Sequence, residues 1–364
     1  MFYASISAYI TKVCGISDNI FHLLKQKVQH ISDNDKLVNM SLDEMSLMAN
    51  LTYDSTSDTV IGFEDFRFAR TAKIANSVLV IMINGIFLCF KQPLLYYFCK
   101  GTVGAMHLTA IFYEVVKRLK EIGLVVKTCV TDQGSNFVDW RKRLGITQDN
   151  PILVYEEQKI YFFYDTPHLF KSIRNNLFRY DIIHTSNDGL VGTASWKDIS
   201  QLYSNDLHRK YKLAPKLTKK VVELPAFSKM KVGTAVRVLS HTVAAGIDTL
   251  VFCGSMPLSA TGTSDFCQKV NDIFDIFNTY SVKGPVHLRN CIRSDSEHLD
   301  VLHVTKPWIH SWKFVGSDGK DYSLGIKCVK GLLSNICAFE MLAAEVLTGT
   351  KLYLFSCKIN QDTL

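Results

Sequence analysis

The chain has 364 residues, of which 47% are apolar, so it can bury a large core and exceeds the usual size of one domain. Its formal net charge of +7 favours an anionic partner, and nucleic acid is the first candidate. The ten cysteines show no CxxC or Cys/His zinc spacing, which argues against a disulfide-stapled secreted protein and against structural zinc. The first residues do not read as a secretory signal. We therefore expect a two-domain intracellular protein.

The first part of the chain is predicted to be a helical lead-in followed by strands. Residues 1–38 carry apolar side chains on one helical face, namely Ile20, Leu23, Leu24 and Val28. Strand patterns follow at 38–45, 59–63 and 77–89.

The apolar stretch 77–98 has the length of a membrane helix. It is interrupted by Asn84-Gly85 and by Lys91-Gln92-Pro93, and its β-branched residues favour strands. We interpret it as two strands around a turn and expect no membrane partner.

A well-patterned helix at 107–122 comes next, with apolar residues at i, i+3, i+4 and i+7 spacing. A strand opens at Leu124, and a second helix begins near Ser135. An RNase H-like α/β fold has this order of elements: three strands, a helix, a fourth strand and another helix. In such a fold the first and fourth strands lie side by side.

Two carboxylates lie at the ends of those strands. Asp132 follows the run LVVKTCVT, and Asp43 lies in the short strand MSLDEM. An acid in the position of Asp132 is also a common helix N-cap, so on its own it does not indicate chemistry. Two carboxylates on neighbouring strand ends are what Mg²⁺-dependent phosphoryl chemistry needs, and such a site works best with a third acid.

A further strand at 159–164 leads into a helix whose N-cap is Thr166, with Pro167 at the first helical position. His168, Lys171 and Asn175 share one face of this helix, and Arg174 lies near it. Two interpretations stay open: a surface helix with solvated basic residues, or a helix that contacts the phosphates of a nucleic acid.

Later segments are predicted to be helical, at 228–249 and 264–279. In the second, Val270, Ile273, Phe274 and Phe277 form the apolar stripe of an ordinary amphipathic helix.

Several motifs, in order and spacing, are similar to the P-element-type transposases, including vertebrate relatives with an N-terminal THAP zinc finger. They are MSLDEM, TDQGSNF, DTPHLFKSIRNNL, FSKMKV, VNDIFDIFN and LFSCKINQDTL. The resemblance implies an RNase H-like mixed sheet interrupted by a mostly α-helical GTP-binding insertion domain, and Mg²⁺-dependent cutting and joining of DNA.

On this resemblance the expected domains are a lead-in at 1–38, the RNase H-like domain at 39–178, the insertion domain at 179–350 and the start of a C-terminal RNase H-like part at 351–364. The family's first two catalytic, metal-binding aspartates fall on Asp43 and Asp132. Its third acid is a glutamate that directly follows the motif at 360–364, and neither it nor a THAP finger is in this sequence. We therefore expect a catalytic-region fragment or domesticated gene product that is inactive in strand transfer as given.

The resemblance also implies a guanine nucleotide site. Asp275 would read the guanine edge, Phe274 would stack on the base and Asn278 would assist. The ribose and triphosphate would lie near Lys216, Lys231, Val232 and Ser240, and Asp362 would reach the nucleotide or its metal. No Walker A pattern occurs, so GTP is expected as a bound cofactor.

The implied partners are DNA, with contacts at His168, Lys171, Arg174 and Asn175, and a second copy of the chain or a full-length transposase. The implied location is the nucleus. Two alternatives stay open. One is a binding protein that holds GTP or DNA and cuts nothing. The other is an autonomous nuclease that uses Glu44, Asp139 or Asp165 as its third ligand.

Overall fold

The computed structural model describes residues 14–348 and 353–361, and these divide by their contacts into two compact units. The first unit is Met1–Asp165 with Met341–Leu364, and the second is Thr166–Glu340. The division falls at residues 165/166 and 340/341, whereas the sequence analysis expected domain boundaries at 178/179 and 350/351.

The first unit is built on one large mixed sheet. In chain order its described elements are α1 (Asp18–Val28), β1 (Leu37–Ser46), β2 (Thr52–Asp54), β3 (Thr59–Ile61), β4 (Phe63–Asp65), β5 (Arg70–Ile74), β6 (Ser77–Gly85), β7 (Lys91–Cys99), α2 (Ala105–Glu121), β8 (Val125–Thr131), α3 (Ser135–Arg143), β9 (Ile152–Tyr155) and β10 (Gln158–Tyr164). The eight-stranded sheet has the order β5-β4-β7-β6-β1-β8-β10-β9. Strand β8 pairs in parallel with β1 on one side and β10 on the other.

One face of this sheet is covered by α2 and α3. Helix α2 buries its apolar stripe, and Phe112 at its centre lies 5.3 Å from Trp140 of α3 and 5.7 Å from Phe162 of β10, measured between ring centroids. All three rings are almost fully buried. Aromatic side chains remove large areas from water, so this cluster is a main source of stability for the sheet that carries the strand-end acids.

The opposite face carries a polar network. The Asn39 amide of β1 donates to Asn84 Oδ1 of β6 at 2.9 Å and accepts from Thr128 Oγ1 of β8 at 2.7 Å. The Asn84 amide donates to the Lys358 carbonyl at 2.8 Å, and Ser41 Oγ donates to the Asn360 carbonyl at 3.3 Å. The C-terminal segment 353–361 therefore packs on the face that carries Asn39 and Ser41.

The second unit is mostly helical. Its elements are α4 (Thr166–Arg179), β11 (Asp181–Thr185), β12 (Val191–Ala194), α5 (Trp196–Asp206), α6 (Lys219–Val222), α7 (Ala226–Lys229), α8 (Val232–Val238), α9 (His241–Phe252), α10 (Thr261–Ile276), α11 (His298–His310), β13 (Lys313–Val315) and α12 (Lys327–Val346), the last of which extends past Glu340. The three strands form a small sheet of order β12-β11-β13. Helices α9 and α10 pack on each other and bury Ala244, Ile247, Ser264 and Cys267.

The predicted α/β fold class, with a large mixed sheet and a mostly helical second part, is confirmed. The stretch 77–98 is two strands around a turn, as predicted. The single strand predicted at 59–63 was wrong, because Gly62 has φ of +117° and separates β3 from β4. A Cβ at Gly62 would lie 2.2 Å from the Asn50 carbonyl oxygen, so only glycine fits that turn.

The helix predicted at 228–249 is three helices, since the chain breaks before Val232 and at Leu239–Ser240. The Ser240 side chain accepts from the Val243 N–H at 3.3 Å, so it caps α9. Among the described residues, one stretch, Val232–Phe252, is long and apolar enough to cross a membrane by composition, but it includes this break and packs inside the second unit.

Candidate functional site

Asp43 and Asp132 lie at the same level on neighbouring strands. The parallel β1–β8 register pairs Asn39 with Thr128 and Ser41 with Val130. Continuing this register by two residues brings Asp43 of β1 level with Asp132, the residue directly after β8. Adjacent strands are about 4.8 Å apart, so the two residues lie at one edge of the sheet.

Each of these carboxylates is held by backbone close to it. Asp43 Oδ1 accepts from the Glu44 N–H, and Asp132 Oδ1 accepts from the Gly134 N–H, both at 2.8 Å. A Cβ on Gly134 would lie 2.9 Å from Asp132 Oδ1, so any larger residue there would displace the carboxylate from its present position. Both acids are half-buried, which leaves them reachable by a cation.

Glu44 is close enough to Asp43 and Asp132 for their charges to act on its carboxyl group. Its Oε1 accepts from the Val103 N–H at 2.8 Å and from the Asn136 amide at 2.9 Å. Burial raises the pKa of Glu44, and the charges of Asp132 and Asp43 raise it further. Glu44, one of the three candidate substitutes for a third metal ligand, is therefore near both aspartates.

The other two substitutes have partners of their own. Asp139 pairs with Arg143 at 2.9 Å on the exposed side of α3. Asp165 follows β10 at the same edge of the sheet, where its N–H donates to the Thr131 carbonyl at 2.7 Å, but it is buried and its Oδ1 accepts from the Gln361 N–H at 2.7 Å. Among the described residues no group of three or more His, Cys, Asp or Glu side chains forms a metal cluster.

The residues present fit a magnesium ion in their chemistry. Mg²⁺ takes hard oxygen ligands and is commonly bound through one or two carboxylates, with waters and substrate phosphates completing the shell. Asp43 and Asp132 are two such ligands at one sheet edge.

The second unit contains a cavity of about 770 Å³. Five of the residues expected around GTP line it: Lys216, Ser240, Phe274, Asp275 and Asn278. The cavity volume is within the range of small-molecule sites. Arg237, Asn271 and Arg289 also line it, and the sequence analysis did not anticipate any of these three.

Asp275 is buried and already holds two donors. Arg289 Nε donates to its Oδ1 at 2.8 Å, and the Asn271 amide donates to its Oδ2 at 3.0 Å. A buried carboxylate needs such compensation. Each carboxylate oxygen can accept a second hydrogen bond, so the group can still accept two from a base edge.

The neighbouring Phe274 packs its ring on Phe170 at 4.9 Å between centroids, in an edge-on arrangement, and is 9% exposed. It reaches the cavity with its remaining surface.

Two of the expected nucleotide residues, Lys231 and Val232, do not line this cavity. Lys231 is exposed, and its ammonium lies 4.6 Å from the centroid of the Phe227 ring. Val232 begins α8 next to Gly233, which does line the cavity. Asp362 lies outside the described residues.

The expected DNA-contacting residues of α4 do not form one exposed surface. His168, Lys171 and Asn175 are half-buried, and the Asn175 amide donates to the Lys229 carbonyl at 3.3 Å. Arg174 has no exposed surface. The expectation that Arg174 contacts DNA is therefore wrong for this structure, because α4 turns that side of the helix into the core.

Arg174 instead organises the chain before α8. It donates to Thr234 Oγ1 at 2.6 Å and to the carbonyls of Ser228, Lys229 and Lys231 at 3.4, 3.1 and 3.4 Å. Desolvation lowers the pKa of its guanidinium to about 10. Thr234 Oγ1 also donates to the Ser228 and Lys231 carbonyls, so Arg174 belongs to a buried network that holds the chain before α8.

We expect Arg174→Met to lower the free energy of unfolding by about 2 to 4 kcal/mol, because the hydrogen bonds of the buried guanidinium to Thr234 and to three backbone carbonyls are lost together. Urea denaturation measures this change. The matched control is Arg179→Met at the exposed end of the same helix, with an expected change within about 0.5 kcal/mol. Equal stability of the two variants would contradict the assignment.

Two known domain families match this sequence, one after the other along the chain. The TNP-like RNase H N-terminal domain matches residues 12–145, and the TNP-like GTP-binding insertion domain matches residues 167–288. The chain is 25% identical to human DNA transposase THAP9 over 289 residues, which is 75% of this chain and 31% of that protein. It is 25% identical to the Drosophila melanogaster transposable element P transposase over 342 residues, 91% of this chain and 41% of that protein.

The fold also matches a solved structure, the Drosophila P element transposase strand transfer complex. The TM-score is 0.78 at 22% identity, and the match covers 96% of this chain and 74% of the other. At this identity the match speaks for the fold alone. The chain spans less than half the length of the two curated relatives. With both TNP-like domains matched in order over most of its length, the chain belongs to the P-element-type transposase family.

Proposed function

We propose that this chain is the catalytic region of a DNA transposase that binds Mg²⁺ through Asp43 and Asp132 and a guanine nucleotide in the cavity of its second unit. The observation that carries the proposal is the β1–β8 register, whose continuation by two residues brings Asp43 level with Asp132. The names of the relatives support DNA as the substrate. A DNA substrate in turn suggests a nuclear location.

The chemistry follows from the positions of the acids. When bound, divalent metal supplies activation of the attacking oxygen and stabilisation of the leaving oxygen in phosphodiester cleavage. Asp43 and Asp132 would hold it, and the Gly134 N–H fixes the orientation of the Asp132 carboxylate. Glu44, whose pKa is raised by burial and by the charges of Asp132 and Asp43, lies near the pair, and a cation bound there would lower that pKa.

The nucleotide proposal rests on the cavity. Asp275 can accept from guanine N1–H and the N2 amino group while it keeps Arg289 and Asn271. Lys216 and Arg237 are exposed cations in the cavity wall, so the site can balance the charge of a triphosphate. We infer a bound cofactor and not a substrate for hydrolysis, because the chain has no Walker A loop.

The metal proposal is tested with Mn²⁺ as the probe, by titration followed by electron paramagnetic resonance. We expect Asp43→Asn and Asp132→Asn each to weaken Mn²⁺ binding at least about tenfold. Loss of a residue that only hydrogen-bonds to a metal ligand already lowers metal affinity by about that factor. Asp139→Asn, which removes an exposed paired carboxylate, is the control and should bind as wild type.

Unchanged Mn²⁺ affinity in both aspartate variants would contradict the metal site. If the chain cuts DNA in Mg²⁺, the same two substitutions should abolish cutting. Metal binding without cutting would instead support the alternative of a protein that binds and does not cleave.

The nucleotide proposal predicts that GTP binds in preference to ATP. Adenine has an acceptor at N1 where guanine has a donor, so the Asp275 carboxylate would lose one charged hydrogen bond with ATP. We therefore expect GTP to bind roughly ten- to a hundred-fold more tightly than ATP. Asp275→Ala should remove most of this ratio in calorimetry. Asp272→Ala, one turn earlier on α10 and in the wall of the same cavity, is the matched control and should retain it.

Equal binding of GTP and ATP by the folded wild-type chain would remove the guanine assignment. Because Asp275→Ala also frees Arg289, a circular dichroism melt must accompany the titration to establish that the variant is folded.

A further inference from the structure

Residues 207–220, here called the basic segment, form a dense run of positive charge. Their sequence is LHRKYKLAPKLTKK, with six of the 41 lysines and arginines of the chain and no acid. The sequence analysis did not single this segment out. Cations this close together in the chain repel one another, so binding of an anionic partner stabilises the segment.

The basic segment is held in a fixed frame by Asp206. This residue ends α5 and is buried, and its two carboxylate oxygens accept from the Leu213 N–H at 3.1 Å and the Ala214 N–H at 2.8 Å. Asp206 therefore closes a loop of residues 207–212 onto the end of α5. Further along, the side chains of Ala214, Leu217 and Val221 are buried and anchor the rest of the segment.

From this frame the cations project into solvent. Arg209, Lys210 and Lys212 are exposed, and Tyr211 between them is 80% exposed with the Lys210 ammonium 5.5 Å from its ring centroid. Lys219 and Lys220 are exposed as well. Buried Asp206 Oδ1 lies 4.0 Å from Arg209 Nε, and Glu223 lies 3.6 Å from Lys219 in an exposed pair of little energetic weight. Asp272 and Asp275 line the same cavity as Lys216 and do not pair with the cations of residues 207–212 in the described ion pairs.

The segment adjoins the nucleotide cavity. Ala214, Pro215, Lys216 and Leu217 form part of the cavity wall, whereas residues 207–212 do not. The loop cations can therefore be removed without touching the residues proposed to hold the nucleotide.

We propose that the basic segment is a binding surface for the phosphate backbone of double-stranded DNA, with Arg209, Lys210 and Lys212 as the contacting residues. The inference rests on the proposed function for the choice of DNA as the polyanion. Exposed Arg and Lys side chains on a fixed loop suit sequence-independent phosphate contacts, which position a duplex without reading its bases.

The test compares the wild-type chain with the triple variant Arg209→Gln/Lys210→Gln/Lys212→Gln. A matched control removes three exposed cations elsewhere in the second unit, Lys283→Gln/Arg293→Gln/Lys320→Gln, so that the net charge of the two variants is equal. Binding of a short fluorescent duplex of arbitrary sequence is followed by anisotropy over a range of salt concentrations, and GTP binding by calorimetry.

For the loop triple variant we expect at least about tenfold weaker duplex binding at low salt and a salt slope reduced by about 0.9 per lost phosphate contact. GTP affinity should equal that of wild type, which also establishes that the second unit is folded. In the control triple variant, the logarithm of duplex affinity should fall by less than half as much as it does in the loop triple variant. A single-stranded RNA of equal length should respond less than the duplex to the loop substitutions.

Three outcomes would overturn the inference: the loop triple binds duplex as wild type, it loses no more than the control triple, or the loop substitutions weaken RNA binding more than duplex binding. If the loop triple loses duplex binding and keeps GTP, the inference is supported. Absence of duplex binding in the wild-type chain would overturn it together with DNA as the proposed substrate, whereas failure of the loop triple alone leaves that proposed function intact.

Discussion

The parallel pairing of β1 with β8 is the constraint on which the first unit depends. It sets Asn39 against Thr128 and Ser41 against Val130, and its continuation brings Asp43 level with Asp132, the residue directly after β8. A shift of one residue in this register would move Asp43 out of line with Asp132. The hydrogen bonds from Asn39 to Asn84 and from Thr128 to Asn39 hold this register from the side chains as well as from the backbone.

A comparable constraint operates in the second unit. Asp275 is buried, and Arg289 and Asn271 supply the donors that make its burial tolerable. Arg289 comes from a short helical turn, His287–Arg289, that also forms part of the cavity wall. The carboxylate is therefore fixed in orientation before any ligand arrives, and preorganised groups of this kind favour selectivity because their ordering does not have to occur on binding.

The strand-end acids could be predicted from the sequence because β8 has a clear buried-strand pattern and Asp132 follows it directly. Asp275 could be singled out only through the family resemblance, since its helix has an ordinary amphipathic pattern. The prediction for Arg174 failed because periodicity gives the faces of a helix without saying which face meets the core. The Asp275–Arg289 pair joins residues 14 positions apart across a turn, and no pattern in the chain signals it. The basic segment was visible in the sequence but was missed, because charge was considered over the whole chain.

The central claim is that Asp43 and Asp132 form one metal site, and anomalous diffraction from crystals of the chain soaked in Mn²⁺ tests it most directly. The account predicts one anomalous peak or an adjacent pair between the two carboxylates, at about 2.0 to 2.3 Å from an oxygen of each, as expected for an ion of this class. Manganese bound at full occupancy at other sites only, or two carboxylates turned away from each other, would contradict it.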